Sequence, residues 1–395
     1  KVLSWDRYSR VSMPDQCVPF SSRPRFAIFC IAYPRSTKLP DIHSLLMPAL
    51  RLLPSEAAHN VTIRALAMGL GPTDKVSDDP VLATEVWGLK FRNPVGLSAG
   101  FDKGARVPDA MMRAGFGFAE AGTVTPLPQP GNPKPRMFRL SKDNAAINRL
   151  GFNGQGLGPY VKRISQRGPG LGPFGANIGK NKVTEDGAAD YEIGIEAVAA
   201  YADYLVCNIS SPNTPGLRAM QGRAIMSDMI ERSLRARARA VPEEDKRPPM
   251  IIKIAPDLDE AERADIAAVI IETGVDGMIV ANTTVLRPSQ MTDPQTNEAG
   301  GLSGAPLFPI ALEIVGEMYK RTEGRVPIIG CGGVASGEDA YRMIRAGASL
   351  VQLYTALAFH GPALVPRMKR ELADLLKQDG FATVVDAVGA DNRGG

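Results

Sequence analysis

The sequence has 395 residues, of which 44% are hydrophobic and 22% are charged, and its formal net charge is +4. This composition is typical of an ordinary globular protein with one large domain and a smaller appendage. The small net charge, without a long basic run, does not support nucleic-acid binding. The densest basic patch falls on a predicted helix and is interpreted as a solvated outer face; it comprises Arg232, Arg235, Arg237 and Arg239.

The four cysteines are Cys17, Cys30, Cys207 and Cys331, and they lack CxxC spacing and neighbouring histidines. Neither a zinc site nor a disulfide framework is therefore predicted. Cys207 and Cys331 lie in apolar, strand-like runs and are expected to be buried, unreactive thiols. No apolar run approaches the roughly 20 residues that are needed to span a bilayer.

Residues 1–40 are predicted to be a disordered N-terminal extension, because residues 1–37 are rich in Arg, Ser and Pro and poor in acids. This extension is interpreted as a targeting segment, a non-native remnant or an upstream extension. Residues 41–85 are assigned to a small helical domain, and residues 86–395 to the main domain.

Within the helical domain, two short amphipathic helices are predicted at residues 41–53 and 55–69, separated near Pro54. Pro48 is expected to kink or break the first helix. Two interpretations of the pair stay open. One is a helical hairpin that caps the bottom of the main domain, and the other is an apolar funnel that admits an apolar substrate from a membrane.

From about residue 92 onward, short apolar runs alternate with Gly- or Asn-rich turns and longer helical stretches. This alternation predicts parallel strands joined by crossover helices. Several of the runs are almost continuously apolar, which is typical of strands buried on both faces. The predicted strands span residues 93–99, 118–125, 173–179, 204–210, 250–255, 277–282, 327–332 and 350–355.

Helices are predicted at residues 189–200, 259–273, 309–321, 337–346 and 362–377. Asp259 and Ser336 are expected to be N-caps, and Gly274 and Gly347 are expected to end their helices. Eight strand–helix units over about 270 residues favour a closed (β/α)8 TIM barrel over an open doubly wound sheet. Because nearly every predicted strand ends in a polar residue or a glycine, we expect the site at the carboxyl ends of the strands.

Gly332 and Gly333 follow the seventh predicted strand, next to a helix that begins near Ser336. Backbone N–H groups in such a turn can bind a phosphate, and the helix N-terminus adds a favourable potential. A second contribution is expected from the turn after Tyr354 and Thr355. The alternative interpretation is a pair of tight turns without a ligand.

Lys253 lies within an otherwise apolar predicted strand. Burying its ammonium is costly unless an anion or an electron-rich ring accepts it. A flavin would be such a partner, because its N1 and C2 carbonyl region gains negative charge on reduction. The alternative is an ion pair with Asp257 or another acid.

Four asparagines occupy turn-like or strand-end positions, namely Asn148, Asn208, Asn213 and Asn282. As a set on one rim, their amides suit the alternating C=O and N–H groups of a pyrimidinedione, although each alone is typical of a turn. The loop at residues 210–214 offers a hydroxyl on the same rim. With only three histidines in the chain, a Ser–His–Asp hydrolase is poorly supported.

Ordered motifs between about residues 41 and 393 resemble those of the dihydroorotate dehydrogenase family. The most specific are Phe101-Asp102-Lys103, the run from Ile147 to Asn153, the run from Asn208 to Thr214, and Lys253-Ile254-Ala255-Pro256-Asp257. Two features resemble the quinone-dependent branch of that family. Ser211 stands where the soluble branch has a cysteine base, and the predicted helical pair resembles a quinone-entry domain.

The resemblance implies oxidation of dihydroorotate to orotate in pyrimidine synthesis, with FMN as hydride acceptor and ubiquinone or menaquinone as the final electron acceptor. Ser211 would remove the C5 proton while hydride passes from C6 to N5 of FMN. The implied orotate contacts are Lys103, Asn148, Arg149, Leu150, Gly151, Phe152, Asn208, Asn213, Asn282 and Thr283. The implied FMN contacts are Ala99, Gly100, Thr123, Asn177, Asn208, Lys253, Ser303, Gly304, Gly332, Gly333, Tyr354 and Thr355. The implied quinone tunnel includes His59 and Arg139.

The resemblance also implies peripheral membrane contact through the N-terminal helices. The Ala- and Arg-rich body favours the cytoplasmic face of a bacterial inner membrane, and the mitochondrial inner membrane is the alternative. Two competing interpretations stay open. One is another FMN barrel, such as a dihydrouridine synthase or a dihydropyrimidine dehydrogenase domain, and the other is a flavin-binding barrel that has lost catalysis.

Overall fold

The computed structural model describes residues 48–168 and 170–393. The predicted extension at residues 1–40 therefore lies outside the described residues. Among the described residues, the strands are β1 (Thr84–Val86), β2 (Leu89–Phe91), β3 (Val95–Leu97), β4 (Phe118–Val124), β5 (Met137–Leu140), β6 (Ala145–Asn148), β7 (Phe174–Ile178), β8 (Tyr204–Asn208), β9 (Met250–Lys253), β10 (Gly277–Val280), β11 (Gly301–Gly304), β12 (Ile328–Cys331) and β13 (Ala348–Leu353).

Residues 48–52 are helical. The helices that follow are α1 (Ser55–Ala67), α2 (Pro108–Arg113), α3 (Leu157–Ser165), α4 (Gly187–Val198), α5 (Arg223–Ala240), α6 (Glu260–Thr273), α7 (Phe308–Arg321), α8 (Gly337–Ala346), α9 (Thr355–His360), α10 (Leu364–Gln378) and α11 (Val384–Ala387). None of the described helices combines the length and the apolar composition that crossing a membrane requires.

The main body is a closed parallel barrel whose strands follow one another in chain order: β3, β4, β7, β8, β9, β10, β12 and β13. These are the eight predicted strands, so the predicted (β/α)8 barrel is confirmed. Strands β4, β7, β8, β9 and β10 are buried along their whole length. Helices cover their outer faces while side chains fill the interior, which explains the apolar runs of the sequence.

The predicted helix ends are confirmed where local chemistry determines them. Asp259 forms a capping box with Glu262 at the start of α6, and Ser336 caps α8 by accepting a hydrogen bond from the N–H of Asp339. Gly274 ends α6 with a φ of 66°, a left-handed conformation that favours glycine. Local capping interactions therefore account for these helix ends.

The lower half of the barrel interior is an apolar plug. Phe118, Tyr204, Ile251 and Leu350 pack there with Val86 of the β1–β2 hairpin. The hairpin closes the amino-terminal end of the barrel, and the indole N–H of its Trp87 donates to the carbonyl of Asp276 at 2.7 Å. The interpretation that the N-terminal helices cap the bottom is therefore wrong, because this hairpin occupies that position.

Helix α1 lies instead at the opposite end, over the carboxyl ends of the strands. The ring Nδ1 of its His59 is 3.3 Å from the hydroxyl of Tyr354, which directly follows β13. A three-stranded antiparallel sheet, β11-β6-β5, lies outside the barrel. The sequence did not predict this sheet, and its β6 and β11 supply Asn148, Ser303 and Gly304 to the same end.

The basic patch on α5 is largely neutralised by neighbouring acids. Arg232 pairs with Glu192 at 2.5 Å, and Arg239 pairs with Glu196 at 2.7 Å. The predicted outer face holds for Arg235 and Arg239, whose side chains are 59% and 53% exposed. Arg237 differs because only 16% of its side chain is exposed, and it reaches inward to Asp276.

Candidate active site

A cavity of about 840 Å³ begins among the polar groups at the carboxyl ends of the barrel strands and extends outward beneath α1. Its outer part, which we call the apolar mouth, is lined by Leu50, Leu53, Val61, Ala65 and Leu66. The inner part is polar and contains backbone and side chains from most of the barrel strands. One cavity therefore connects an apolar entrance with a polar floor.

The cavity brings together most of the residues that the sequence nominated. Its walls include Ser211, Lys103, Asn148, Leu150, Gly151, Phe152, Asn208, Asn213, Asn282, Thr283, Ala99, Gly100, Thr123, Lys253, Ser303, Gly304, Gly332, Gly333, Tyr354, Thr355, His59 and Arg139. Two nominated residues do not line it. Asn177 is fully buried beneath the floor, and the guanidinium of Arg149 pairs with Glu298 at 2.8 Å.

Lys253 is a buried cation on the floor of the cavity. Its Nζ donates to the hydroxyl of Ser98 at 3.2 Å, and no carboxylate of the described residues pairs with it. Asp257 pairs instead with Arg218 at 2.8 Å, so the alternative of a Lys253–Asp257 ion pair is wrong. A buried ammonium without a counter-charge is costly, so this floor favours an anionic or electron-rich ligand.

Beneath the floor, one buried carboxylate fixes the orientation of two amides. Glu120 accepts hydrogen bonds from Asn177 Nδ2 at 2.8 Å and from Gln352 Nε2 at 2.7 Å. Because its nitrogen is engaged, Gln352 presents its Oε1 elsewhere, and this buried oxygen has no partner among the described residues. The sequence analysis missed Glu120 and Gln352, although a polar residue within a buried apolar strand was the available signal.

The asparagines form a connected network at the rim. Asn208 Nδ2 donates to Thr123 Oγ1 at 2.9 Å, and that hydroxyl donates to Asn177 Oδ1 at 2.6 Å. Asn208 Oδ1 accepts from Ser210 Oγ at 2.8 Å and from Asn282 Nδ2 at 3.3 Å. Such mutual bonding holds the amides in fixed orientations, as the reading of a planar ligand edge requires.

Ser211 lies in the loop after β8 and is only 6% exposed. Its Oγ accepts a hydrogen bond from the N–H of Asn213 at 3.2 Å, and Asn213 Nδ2 donates to the carbonyl of Asn148 at 3.1 Å. The backbone bond leaves the hydroxyl proton of Ser211 available toward the cavity. No histidine of the described residues bonds to Ser211, which agrees with the exclusion of a Ser–His–Asp triad.

Lys103 stands at the wall of the cavity, where its Nζ donates to Asn153 Oδ1 at 2.7 Å. Removal of the ammonium from water, followed by repulsion from Arg136, lowers the pKa of Lys103 from 10.5 to about 8. An anion bound beside it would stabilise its charged form. Lys103 is thus suited to a ligand carboxylate.

Gly332 and Gly333 form a concave turn after β12, with φ values of 132° and 77°. A Cβ added at Gly333 would lie 2.6 Å from the backbone nitrogen of Phe308, so glycine is required there. The N–H groups of both glycines donate no hydrogen bond to another described residue. Nearby, Thr355 Oγ1 donates to Ser303 Oγ at 2.9 Å. Together, these backbone N–H groups and side-chain hydroxyls are suited to binding a phosphate.

His59 separates the apolar mouth from the polar floor. Its ring packs edge-on against Phe101 at 5.5 Å between centroids. Burial, and then the charge of Lys103, lower the pKa of His59 from 6.5 to about 4, so the imidazole is neutral near pH 7. Arg139 donates to the carbonyl of Arg51 at 2.8 Å. The neutral imidazole and the aliphatic mouth suit an uncharged ligand, while Arg51 and Arg139 add two cations to the wall of the same passage.

The ion pair of Glu56 and Arg136 fastens α1 to the barrel mouth, and the sequence analysis missed it. Arg136 Nη2 lies 2.8 Å from Glu56 Oε1, with the side chains of Arg136 and Glu56 7% and 20% exposed.

The prediction that both strand cysteines are buried is wrong for Cys331, whose thiol lies beside Ser98 on the cavity wall and is partly exposed. Cys207 is buried as predicted. Cys17 and Cys30 lie outside the described residues.

A closed barrel with a glycine-lined turn after its seventh strand and a polar cavity at its carboxyl rim is typical of (β/α)8-barrel enzymes, many of which bind a phosphate at that turn. The family model described as dihydroorotate dehydrogenase matches residues 81–376. The chain belongs to the dihydroorotate dehydrogenase family, and its similarity to quinone-dependent members places it in the quinone-dependent class.

The dihydroorotate dehydrogenase (quinone) of Azorhizobium caulinodans is 56% identical over 355 residues, which cover 89% of this chain and 100% of that relative. The mitochondrial enzyme of the same name from Oryza sativa is 49% identical, with 92% of this chain and 82% of that relative covered. A crystal structure of the Eimeria tenella DHODH in complex with ferulenol superposes with a TM-score of 0.83 at 44% identity, covering 87% of this chain and 99% of that one. The chain is accordingly an oxidoreductase, and enzymes of its family are flavoproteins.

Proposed function

We propose that the chain oxidises (S)-dihydroorotate to orotate in pyrimidine biosynthesis, with one non-covalently bound FMN and with ubiquinone or menaquinone as the final acceptor. The observation that carries this proposal is the buried, unpaired ammonium of Lys253 on the floor of a cavity that also contains a phosphate-type glycine turn. A cofactor with both an electron-rich ring and a phosphate satisfies the two features together.

The residues present fit FMN. The N–H groups of Gly332 and Gly333, with Gly304, Ser303 and Thr355 beside them, would hold the phosphate. Lys253 and the unpartnered Gln352 Oε1 would face the ring or the ribityl chain, where one offers a donor and the other an acceptor. Ala99, Gly100, Thr123, Asn208 and Tyr354 would complete the site, and Asn177 would act from beneath it through Thr123. FMN supplies hydride acceptance from the substrate and electron transfer to the quinone.

The substrate would lie against the asparagine network. Asn148, Asn208, Asn213 and Asn282 offer donors and acceptors to the pyrimidine edges, and Thr283 lies beside them. Leu150, Gly151 and Phe152 would supply the apolar and backbone walls, and Lys103 would bind the carboxylate. Arg149 is paired with Glu298, so we propose a role for it in holding this segment rather than in contacting the substrate.

Ser211 would act as the general base that removes the C5 proton. As Ser211 Oγ takes up the C5 proton, its own hydroxyl proton would pass to a water molecule bound in the cavity, so that the serine ends neutral. The N–H of Asn213, which points at this oxygen, would stabilise the negative charge that develops on it during the transfer. The loop is buried, so bulk water is kept from the reacting atoms.

The quinone would enter through the apolar mouth and pass between His59 and Arg139. Large apolar side chains around this mouth face solvent: Leu52 is 87% exposed, Met68 69% and Leu70 63%. Such a cluster suits insertion into the surface of a bilayer. We therefore propose that residues 41–85 form a membrane-contact domain on the 86–395 barrel. Peripheral attachment to the cytoplasmic face of a bacterial inner membrane is preferred over the mitochondrial inner membrane.

The test is an anaerobic stopped-flow experiment on the purified, flavin-loaded protein. Dihydroorotate should bleach the visible absorbance of the flavin, and a soluble quinone analogue should then restore it. Bleaching by dihydroorotate without recovery by quinone would contradict the acceptor. A flavin-loaded protein that dihydroorotate does not bleach would contradict the substrate and direct attention to other FMN barrels.

A further inference from the structure

Glu120 is a carboxylate on β4 whose side chain is completely shielded from solvent inside the barrel. None of the described lysines and arginines forms an ion pair with it. Glu120 does not line the ligand cavity, whereas Gln352, to which it bonds, does. A buried carboxylate is costly unless hydrogen bonds or a nearby cation stabilise it. Its presence at this position therefore calls for a reason.

Three hydrogen-bond donors converge on this carboxylate. Two are the amides of Asn177 and Gln352, at 2.8 and 2.7 Å, and the third is the phenol of Tyr204 at 3.4 Å. Burial holds the pKa of Tyr204 well above its usual range, so the phenol keeps its proton and serves as a donor. Donors to both oxygens favour the ionised form of a carboxyl group. The three bonds thus suit a negative charge at Glu120.

Lys253 is a charge of opposite sign in the same barrel interior. Its ammonium donates to the hydroxyl of Ser98, whose backbone N–H donates to the carbonyl of Leu353 at 3.1 Å. Gln352, which precedes Leu353 on β13, carries the hydrogen bond to Glu120. The cation and the carboxylate therefore bond to neighbouring groups of the barrel wall, although the two do not pair directly.

These two charges have opposite effects on a flavin bound in the cavity. Hydride transfer from the substrate adds two electrons and one proton to the ring, and therefore one negative charge. A buried cation stabilises this added charge, whereas a buried carboxylate opposes it. The side chains of Lys253 and Glu120 are 4% and 0% exposed, so solvent screens either effect only weakly.

We propose that Glu120 sets the reduction potential of the bound flavin, because its charge lowers the potential that Lys253 raises. This inference rests on the proposed function, since it takes FMN to be the cofactor. Glu120 is a positioning residue, which acts through its field and through the amides of Asn177 and Gln352. An intermediate potential suits a flavin that accepts a hydride from one substrate and passes two electrons to a quinone. Lys253 alone would favour the first half-reaction and hinder the second.

The first test removes the charge at Glu120. The potential of the FMN-loaded protein is measured by anaerobic equilibration with a reference dye, and in Glu120→Gln it should rise. At a fixed solution potential, the ratio of reduced to oxidised flavin should increase at least about tenfold, which is about 30 mV for two electrons. Glutamine can retain much of the network, since its amide nitrogen can donate to the unpartnered Oε1 of Gln352 once that amide turns over.

The two half-reactions should respond differently to the same substitution. Bleaching by dihydroorotate should not slow in Glu120→Gln, whereas reoxidation by a soluble quinone should, because the reduced flavin is more stable. Glu317→Gln is the matched control. It removes the same charge from the outer helix α7, where its partners are Arg263 and Arg321, and should leave the potential and both rates unchanged.

The second test is a double-mutant cycle with Lys253, measured at saturating FMN. Lys253→Met should lower the potential, and Glu120→Gln/Lys253→Met should have a potential close to wild type, because the opposite shifts cancel. Comparison of the double variant with Lys253→Met isolates the effect of Glu120 even where Glu120→Gln alone folds poorly. Gln352→Met keeps the carboxylate and removes the amide, so it should shift the potential less than Glu120→Gln while FMN affinity falls.

A wild-type potential in Glu120→Gln, or equal potentials in Lys253→Met and the double variant, would overturn the inference. A shift in Gln352→Met as large as that in Glu120→Gln would also overturn it, because the amide and not the charge would then set the potential. The potentials are measured without dihydroorotate, so they do not depend on the substrate. Failure of the proposed function is distinct, because the purified protein would then bind no FMN, or dihydroorotate would not bleach the wild-type flavin.

Discussion

Ser211 is the residue on which the proposed proton transfer depends. Ser211→Ala should keep FMN and orotate binding, since Asn213 still bonds to Asn148. The asparagine network includes the hydroxyl of Ser210 but not that of Ser211. Flavin reduction near neutral pH should slow about 10²- to 10⁴-fold, the usual contribution of a general base. Anaerobic stopped-flow measures the rate, and orotate titration measures binding. Full reduction rates in the variant would remove Ser211 from this role.

Substitution of Lys253 should raise the stability of the apoprotein and lower its affinity for FMN. Lys253→Met removes an unpaired buried charge and keeps most of its volume, so the apoprotein should gain roughly 1–3 kcal/mol of unfolding free energy. FMN affinity should fall, because the ring loses its cation. Thermal unfolding of apo and loaded forms provides both values. A less stable apoprotein would mean that Lys253 has a counter-charge that stabilises it.

Lys103 predicts a pH dependence of anion binding. Its lowered pKa of about 8 means that the ammonium is charged below pH 8 and neutral above it. Orotate affinity should therefore be full below pH 8 and decline as the pH rises through that value. Binding above pH 8 should take up a proton, which calorimetry in two buffers detects. Lys103→Met should bind more weakly at neutral pH and lose this dependence; an unchanged profile would assign the ionisation to another group.

Single residues were predictable where one chemical need dominates a position. Lys253 and the glycine pair stood out because a charge and two flexible residues are unusual at buried strand ends. Glu120 and Gln352 carried a similar signal, a polar residue within a buried strand, but their roles could not be predicted because they depend on each other across the barrel. The direction of the Arg149 side chain was not predictable, because the motif gives its position in the chain but not its pairing with Glu298.

Among the secondary elements, α1 depends on the Glu56–Arg136 pair for its attachment. Hydrogen bonding to Arg136 is the main cause that lowers the pKa of Glu56 below 4.5, so the contribution of this pair is present near neutral pH and is lost as the pH falls below that value. Glu56→Gln should cost about 1–3 kcal/mol of local stability.

Hydrogen exchange in α1 should increase and quinone reduction should slow, while bleaching by dihydroorotate should not. The matched variant is Glu317→Gln, whose partners Arg263 and Arg321 lie on outer helices. Equal protection of α1 in Glu56→Gln and wild type would show that apolar packing of Ile63 and Leu66 alone holds the helix.

Strand and helix positions in the barrel were predictable because buried strands and capped helices leave local signals. The β11-β6-β5 sheet was not, since its strands are short and β11 pairs with β6 more than 150 positions away, as the Gly301–Asn148 register shows. The β1–β2 hairpin was missed for a related reason. Its apolar residues find their partners only inside the assembled barrel.

On the scale of the whole molecule, the exposed apolar cluster predicts membrane binding. Leu52→Ser/Met68→Ser/Leu70→Ser should lower the fraction of protein that sediments with anionic phospholipid vesicles, because it removes apolar surface from the bilayer contact. Turnover with a soluble quinone should stay close to wild type. Ile225→Ser is a control, as Ile225 is 54% exposed on α5. Equal sedimentation of the triple variant and wild type would contradict the proposed contact.

The hairpin at the base of the barrel offers a point of attachment for engineering. Gly88 at its turn is exposed, and a Cβ added there would meet no atom within 4 Å. The apolar plug separates this turn from the ligand cavity. A fluorophore or an affinity tag inserted at this turn could immobilise the enzyme on a sensor surface with the ligand cavity facing outward. Substrate and vesicle binding could then be recorded on the same oriented molecules.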